Sequence, residues 1–596
     1  MEKKNIKYFA VIMACALAFQ ACDLTETQKS SADAAMVFGS ETGLQTYCNS
    51  FYGMLPTNTK AYQQDAMADY FAKTELEKYE LGALTPDSQG SWDWEDIRSV
   101  NYFLDHNHYE SVPVKIRNHF NGIARFFRAL LYFDKLKTYG EVPWIDHVLN
   151  PGDPELTAPR DSRDVIVNHI LEDCDYAFEN ITTENSRSSN ANFINKYCAM
   201  LLKSRVCLFE ASWRKYLAGT EFVLRCEIPA EELFAEAAKA ANIIIGSGEF
   251  SLHTGTANEK GCGSYRDLFS SDVAPTDEVL LAIASDAKLS VGYANYYFNV
   301  QAVRASLTRP FMNTYLNSDG SVYSEKEAGT GAYKSFVAET SNRDYRLNQT
   351  IRAYDYECKN KAGEIVPTTA DYSYTLTGYH IIKFCQDDVA YNVYGANSND
   401  IPIMRYAEAL LNYAEAKAEL GTLSDDDWKM TIGALRRRAG ITGGDLDSKP
   451  KKVDTYLQET YFPDINDPVI LEIRRERSIE LCLEGFRMDD LKRWGCASLW
   501  ETSPWTGIFV KLNTPLDMNG DGTPDVYFST NDNPDPEYAA ITIPLSSDRR
   551  IDVFGGSIIQ FNLDGRVWLD KMYLEPISTS DITMNPNLEQ NPGYSF

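Results

Sequence analysis

IPIMRYAEALLNYAEAKAELG (401–421) and IRRERSIELCLEGFRMDDLKRWG (473–495) carry an unusual density of opposite charges at helical spacing. In the first, Met404, Ala407, Leu411, Ala414 and Ala418 recur every three or four residues and predict an amphipathic helix starting at Ile403. Arg405, Glu408, Asn412, Glu415 and Glu419 form a polar stripe beside that apolar face. In the second, Glu476, Arg477, Glu480, Glu484, Arg487 and Asp490 alternate in sign and predict an ion-paired network, with Gly485 as a helix C-cap. Glu408 and Glu415 resemble the acid/base pair of a glycosidase, but two helical turns hold them ~10 Å apart along the axis. The arginines around them favour a structural role.

Outward from these stretches, four more segments have helical period and length: 124–140, 164–180, 195–216 and 231–248. Several end near Gly or Asn, as a helix stop requires. Ala129, Ala199, Ala211, Ala237 and Ala241 stand where neighbouring helices must approach closely, a pattern suited to stacked helical hairpins. Residues 285–400 change character, with Tyr, Asn, Ser, Thr and Gly replacing Ala and Leu, and predict a loop-rich insertion. After about residue 501 the chain predicts an irregular part with a few short strands. The expected class is mainly α: one large body with helical blocks over about 30–284 and 401–500.

Composition excludes several functions. A formal net charge of −28 over 596 residues opposes nucleic-acid binding, which needs a basic face. The 12 cysteines include no C-x-x-C, and several, such as Cys198, Cys207 and Cys482, sit in apolar helical patterns, so buried free thiols are expected. The seven histidines include no H-E-x-x-H.

At the N-terminus, Lys3, Lys4 and Lys7 precede a short apolar run, 8–19, well below the roughly 20 residues that span a bilayer. Ala21-Cys22 follows, a small residue before a cysteine. The stretch predicts a lipoprotein signal peptide over 1–21 and a covalent lipid on Cys22, where each buried acyl CH2 adds ~0.8 kcal/mol of membrane affinity.

Together, 401–421, 473–495 and NPNLEQNPGY (585–594) resemble signatures of the SusD/RagB family, and 97–105, 125–145 and 342–347 agree with them. The resemblance implies a surface lipoprotein of the Bacteroidetes outer membrane, facing the exterior. It implies a single SusD-like domain over 22–596, with tetratricopeptide-like helix pairs, loop-rich insertions and a few short strands. It further implies that the protein binds a glycan and delivers it to a SusC-type TonB-dependent transporter, without catalysis. No ligand residue transfers by motif, because contacts vary within the family.

Sugar binding needs flat aromatic surfaces for the apolar faces of pyranose rings, with polar groups for the hydroxyls. Two stretches offer the mixture. Tyr70, Phe71, Trp92 and Trp94 lie among Asp69, Asp93 and Asp96; Tyr293, Tyr296, Tyr297 and Phe298 lie among Asn295 and Asn299. A third stretch, DMNGDGTPD (517–525), sets Asp517, Asn519, Asp521, Thr523 and Asp525 at the spacing of a calcium loop, with Gly522 at its turn. Position 12 is Phe528 rather than a bidentate Glu, so the structural ion expected there is either weakly held or has its shell completed by a distant residue, and the alternative is a solvated Asp/Gly turn. The competing readings are a lipid-anchored glycoside hydrolase of helical fold and a receptor for peptide or another polymer.

Overall fold

The computed structural model describes residues 34–88, 92–182, 191–223, 225–255, 263–300, 303–530, 536–545, 549–551, 557–560 and 565–595. The expected signal peptide, 1–21, and Cys22 lie outside the described residues.

Helices dominate, at 46% against 8% strand, so the mainly α expectation holds. The long N-terminal helices are α1 (Glu41–Phe51), α2 (Glu95–His106), α3 (Val114–Tyr139), α4 (Arg163–Asn180), α5 (Lys196–Tyr216) and α6 (Ala230–Ser247). Each of α2 to α5 packs on the next, giving a stack of helical pairs. Ala129, Ala199, Ala211, Ala237 and Ala241 are fully buried, as close helix approach demands. The helix starts follow from local chemistry: Ser162 caps α4 through Val165 N and Asn195 caps α5 through Tyr197 N. Gly248, in the left-handed region, ends α6.

The stretch 401–421 divides. Strand β1 (Val279–Ile283) pairs antiparallel with β2 (Ile401–Arg405), and only then does the chain turn helical. Between these strands lies the short helix α7 (Ala294–Asn299); after them come α8 (Tyr406–Glu419), α9 (Pro468–Glu480), α10 (Arg487–Arg493) and α11 (Thr579–Met584). The helix begins at Tyr406 rather than Ile403 because the N–H and C=O groups of 401–405 are engaged by β1. Helix α8 packs against both α6 and α9, which joins the C-terminal helices to the N-terminal stack.

Two cores result. The first runs through the stacked helices and α8 to α10, with Phe127, Leu201, Leu411, Trp428 and Leu491 at its centre. The second gathers Tyr62, Phe71, Tyr265, Phe298, Phe311, Ile381 and Phe528. Residues 285–400, expected as a loop-rich insertion, therefore supply much of a buried core of their own. They also contain short helices and the hairpin Glu357–Lys359/Ile365–Pro367.

The charged signatures join the two cores. Glu476 accepts from Arg346 and Arg436 at 2.6 and 2.9 Å, and Glu480 from Arg405 and Arg346 at 3.0 and 2.9 Å. Glu484 receives Lys383 and Arg405, Arg487 clasps Asp69, and Asp490 holds both Arg477 and Arg493. Gly485 is not a C-cap. It lies five residues beyond the end of α9 at φ 85°, and its N–H donates to Asp65 at 3.1 Å. A Cβ there would come within 1.9 Å of Gln64 Oε1.

Among the described residues nine cysteines are free and seven of them buried, so the thiols pack as small apolar groups. No helix among the described residues is long and apolar enough to cross a membrane.

Candidate functional site

Residues 294–298 lie in helix α7 with Tyr293 at its N-cap, so the aromatic residues of this stretch divide by helical rather than alternating period. Tyr297 and Phe298 turn inward onto Tyr62, with ring centroids 5.5 and 5.8 Å away, and belong to the second core. Tyr293 and Tyr296, three residues apart on the outer face, meet Tyr394 from a separate loop. Tyr293 lies 4.3 Å from the Tyr394 ring at 33°, and Tyr296 lies 5.4 Å away edge-on at 89°. Tyr394 is 64% exposed, beside Val393 at 61%. The result is an open aromatic patch, with Asn392 on the same loop as Tyr394.

The patch is held from below. Asn295 is buried, and its backbone N–H donates to Asn397 Oδ1 at 2.9 Å while its Oδ1 accepts from Asn397 Nδ2 at 2.7 Å. Its Nδ2 donates to the Gln386 carbonyl at 2.8 Å and to Asn392 Oδ1 at 3.1 Å. Asn295 thus ties α7 to the 386–397 loop that presents Tyr394, and has no capacity left for a sugar hydroxyl. Gly395, at φ 74°, lets that loop cross Ser290, where a Cβ would meet the serine side chain at 2.7 Å.

Tyr70 and Phe71 are corrected by the structure: both are 1% exposed and unavailable to a ligand. Tyr70 stacks on Phe311 at 4.3 Å and donates to Asp65 at 2.6 Å, while Phe71 pairs with Leu307 in a two-residue ladder. The same correction applies to Asn295, Tyr297 and Phe298, which support the patch from inside. Trp92 and Trp94 are partly exposed and line a separate cleft of about 490 Å³ beside α2 and α11. Tyr394 escaped the sequence reading because it lies about 100 residues from its partners, among turn-forming residues with no periodic signal.

The 517–525 segment is a hairpin loop between the paired strands Pro515–Leu516 and Val526–Ser529, with no flanking helix. Its acids face its own backbone. Asp517 accepts from Gly520 N at 2.6 Å and Gly522 N at 2.8 Å, Asp521 from Thr523 N at 2.7 Å, and Asp525 from Met518 N at 2.8 Å. Asn519 donates through Nδ2 to Asp521 at 3.1 Å. Partial burial raises the Asp525 pKa and the neighbouring Asp521 and Asp517 charges add to it, against the Met518 N–H. Among the described residues no three His, Cys, Asp or Glu side chains converge as a metal cluster.

Glu408 and Glu415 are not exposed acids. Glu408 forms a two-point ion pair with Arg205, at 2.7 Å for each contact, and Glu415 does the same with Arg493.

Comparison with known proteins places this architecture. A SusD-like protein, P2, of Formosa agariphila is 25% identical over 379 residues, covering 62% of this chain and 64% of its own. The match thus spans less than two thirds of that relative's length. A second from the same organism, P38, is 24% identical over 441 residues, covering 69% and 73%. Among solved structures, a SusD-like carbohydrate binding protein of Bacteroides fragilis superposes with a TM-score of 0.66 at 19% identity, over 93% of this chain and 100% of that one. The SusD family model matches residues 284–594, more than half of the 596-residue chain. The chain belongs to the SusD family.

Proposed function

We propose that this protein is a non-catalytic receptor that binds a glycan on the Tyr293–Tyr296–Tyr394 patch and delivers it to a SusC-type TonB-dependent transporter. The observation that carries the reading is an aromatic trio, Tyr394 exposed and Tyr293 and Tyr296 partly exposed, fixed by the buried Asn295–Asn397 pair, a surface suited to the apolar faces of sugar rings. The carbohydrate-binding description of the B. fragilis structural neighbour supports it. The non-catalytic part rests on Glu408 and Glu415, whose oxygens are occupied by arginines where an acid/base pair would need to reach a glycosidic bond. Attachment to the outer membrane, facing outward, is proposed from the Ala21-Cys22 lipidation pattern in the sequence and is checked by mass spectrometry for a Cys22-linked lipid on the protein extracted from membranes.

The test is retardation of the protein in gels containing starch, xylan, cellulose derivatives or mucin, with reducing ends assayed in the same mixtures. Retardation by one polymer without release of sugar, weakened by Tyr296→Ala with Tyr394→Ala, supports the receptor. Release of reducing sugar overturns it. Calcium in the 517–525 loop is proposed as structural only: Asp517, Asp521 and Asp525 would have to exchange backbone N–H partners for the ion.

A further inference from the structure

The tryptophans 92 and 94 have no part in the tyrosine patch, yet they line a well-formed cleft. Trp92 and Trp94 sit 5.6 Å apart at 60° and are backed by further rings, Trp92 by Tyr139 at 4.8 Å and Trp94 by Tyr132 at 6.1 Å. The Lys135 ammonium lies 4.5 Å from the Trp94 ring and fixes that indole from the protein side. Ile97, Leu156, Met584 and Leu588 complete an apolar lining. The volume, about 490 Å³, falls within the range of small-ligand sites.

The walls come from distant parts of the chain and are locked together. Trp92 N donates to Asp581 of α11 at 3.1 Å, Asn101 Nδ2 to the Ile145 carbonyl at 2.8 Å, and Asn585 Nδ2 to the Ala158 carbonyl at 2.9 Å. The cleft is therefore formed before any ligand arrives. Its rim keeps hydrogen-bonding capacity of both kinds. Arg98 donates from Nη1 to the Leu149 carbonyl, leaving its other N–H groups to the rim. Among the described residues the His147 ring makes its hydrogen bond through Nδ1, with Asp146, and the Glu155 carboxylate, whose charge acts on His147, lines the same rim.

We propose that this cleft is a second carbohydrate site, separate from the tyrosine patch, in which the Trp92 and Trp94 indoles cover a pyranose face while Arg98, His147 and Glu155 reach its hydroxyls. An apolar floor with donors and acceptors confined to the rim matches a ring with C–H faces and an O–H edge. The two sites share no residue and belong to different cores. A polymer chain long enough to reach both gains avidity from the second contact without new chemistry. The proposal rests on the receptor reading in taking its ligand to be a glycan.

The test is fluorine NMR of the full chain labelled with 5-fluorotryptophan, with Trp92 and Trp94 signals assigned by Trp→Phe variants. Maltohexaose, cellohexaose and xylohexaose are the probes. The expected result is a shift of both signals with one sugar series, retained in Tyr296→Ala/Tyr394→Ala and abolished by Met584→Trp. Met584 is 72% exposed on the rim, so the larger ring fills the cleft without entering a core. With the polymer of the same series, Met584→Trp weakens gel retardation at least tenfold and leaves the tyrosine patch working. If retardation depends on the tyrosines while no hexasaccharide moves the Trp92 and Trp94 signals, the second site is wrong and the receptor stands. Shifts that vanish with the tyrosine variant overturn independence. Shifts produced by an apolar tripeptide and by no sugar overturn the ligand class, and absence of both retardation and shifts removes the two proposals together.

Discussion

Glu415 of α8 grips the guanidinium of Arg493 of α10 with both carboxylate oxygens, at 2.5 and 2.8 Å, and the pair is almost wholly buried. Trp494 Nε1 donates to the same carboxylate at 2.7 Å, and Arg493 also holds Asp490 and Ser212. The two stretches that decide the fold are thus joined to each other through this contact. Burial alone would raise the Glu415 pKa, but Arg493, with Arg477 and the Trp494 N–H, brings it down to about 2.

A folded pKa below the unfolded value of 4.5 means stability that is present above pH 4.5 and lost as the pH falls toward 2. The shift corresponds to roughly 3 kcal/mol at neutral pH. Glu415→Gln should cost about that much in urea denaturation at pH 7, with the gap to wild type narrowing steadily below pH 4.5. An unchanged gap at pH 3 would mean that the carboxylate's charge is not what holds Arg493.

Gly485→Ala is expected to destabilise by at least ~2 kcal/mol, through a left-handed backbone that alanine resists and a collision with Gln64. Adding Gln64→Ala removes the Oε1 clash and leaves the Cβ contact at 2.7 Å, so it should recover only part of the loss in melting temperature. Full recovery would show that backbone conformation contributes nothing.

Much of this architecture was legible in the sequence because helices declare themselves by period. The boundaries at 164–180, 195–216 and 231–248 fall within one or two residues of the helices formed, since the caps Asn195 and Gly248 are local signals. What pairs across distance was not legible. Nothing around Ile401 reveals that residues near 280 will engage its backbone, so 401–405 passes for helix. The aromatic stretch at 293–298 names the region of the patch but not its members, because a six-residue helix turns half its rings inward. Tyr394 and the Asn295–Asn397 pair exist only once two loops meet.

That dependence makes a prediction with two parts. Tyr394→Ala removes an exposed ring and should leave the melting temperature within about a degree while weakening glycan binding roughly tenfold, about 1.4 kcal/mol. Asn295→Ala instead removes four buried side-chain hydrogen bonds, two donated to the Gln386 carbonyl and Asn392 and two accepted from Gln386 N and Asn397, and should lose both binding and several degrees of stability. Calorimetric titration with the retarding polymer's oligosaccharide, alongside thermal melts, separates the two. Equal effects on stability would place Tyr394 in the packing rather than in the site.

The 517–525 loop allows a sharper test of calcium than its sequence pattern suggests. Its acids are already satisfied by N–H groups of Gly520, Gly522, Thr523 and Met518, so an ion gains only the difference between its own contacts and those it displaces. With no bidentate Glu at position 12, where buried Phe528 stands, affinity should fall in the weak class of roughly 10⁻⁴ to 10⁻³ M. Chelator-treated protein should therefore melt at the same temperature with micromolar calcium as without it, and higher with several millimolar. Asp521→Ala should abolish that rise while leaving the metal-free melting temperature nearly unchanged, because Asp521 is exposed. A rise already complete at micromolar calcium would require carboxylates that converge, and a flat response at every concentration would leave the loop as a hydrogen-bonded hairpin turn.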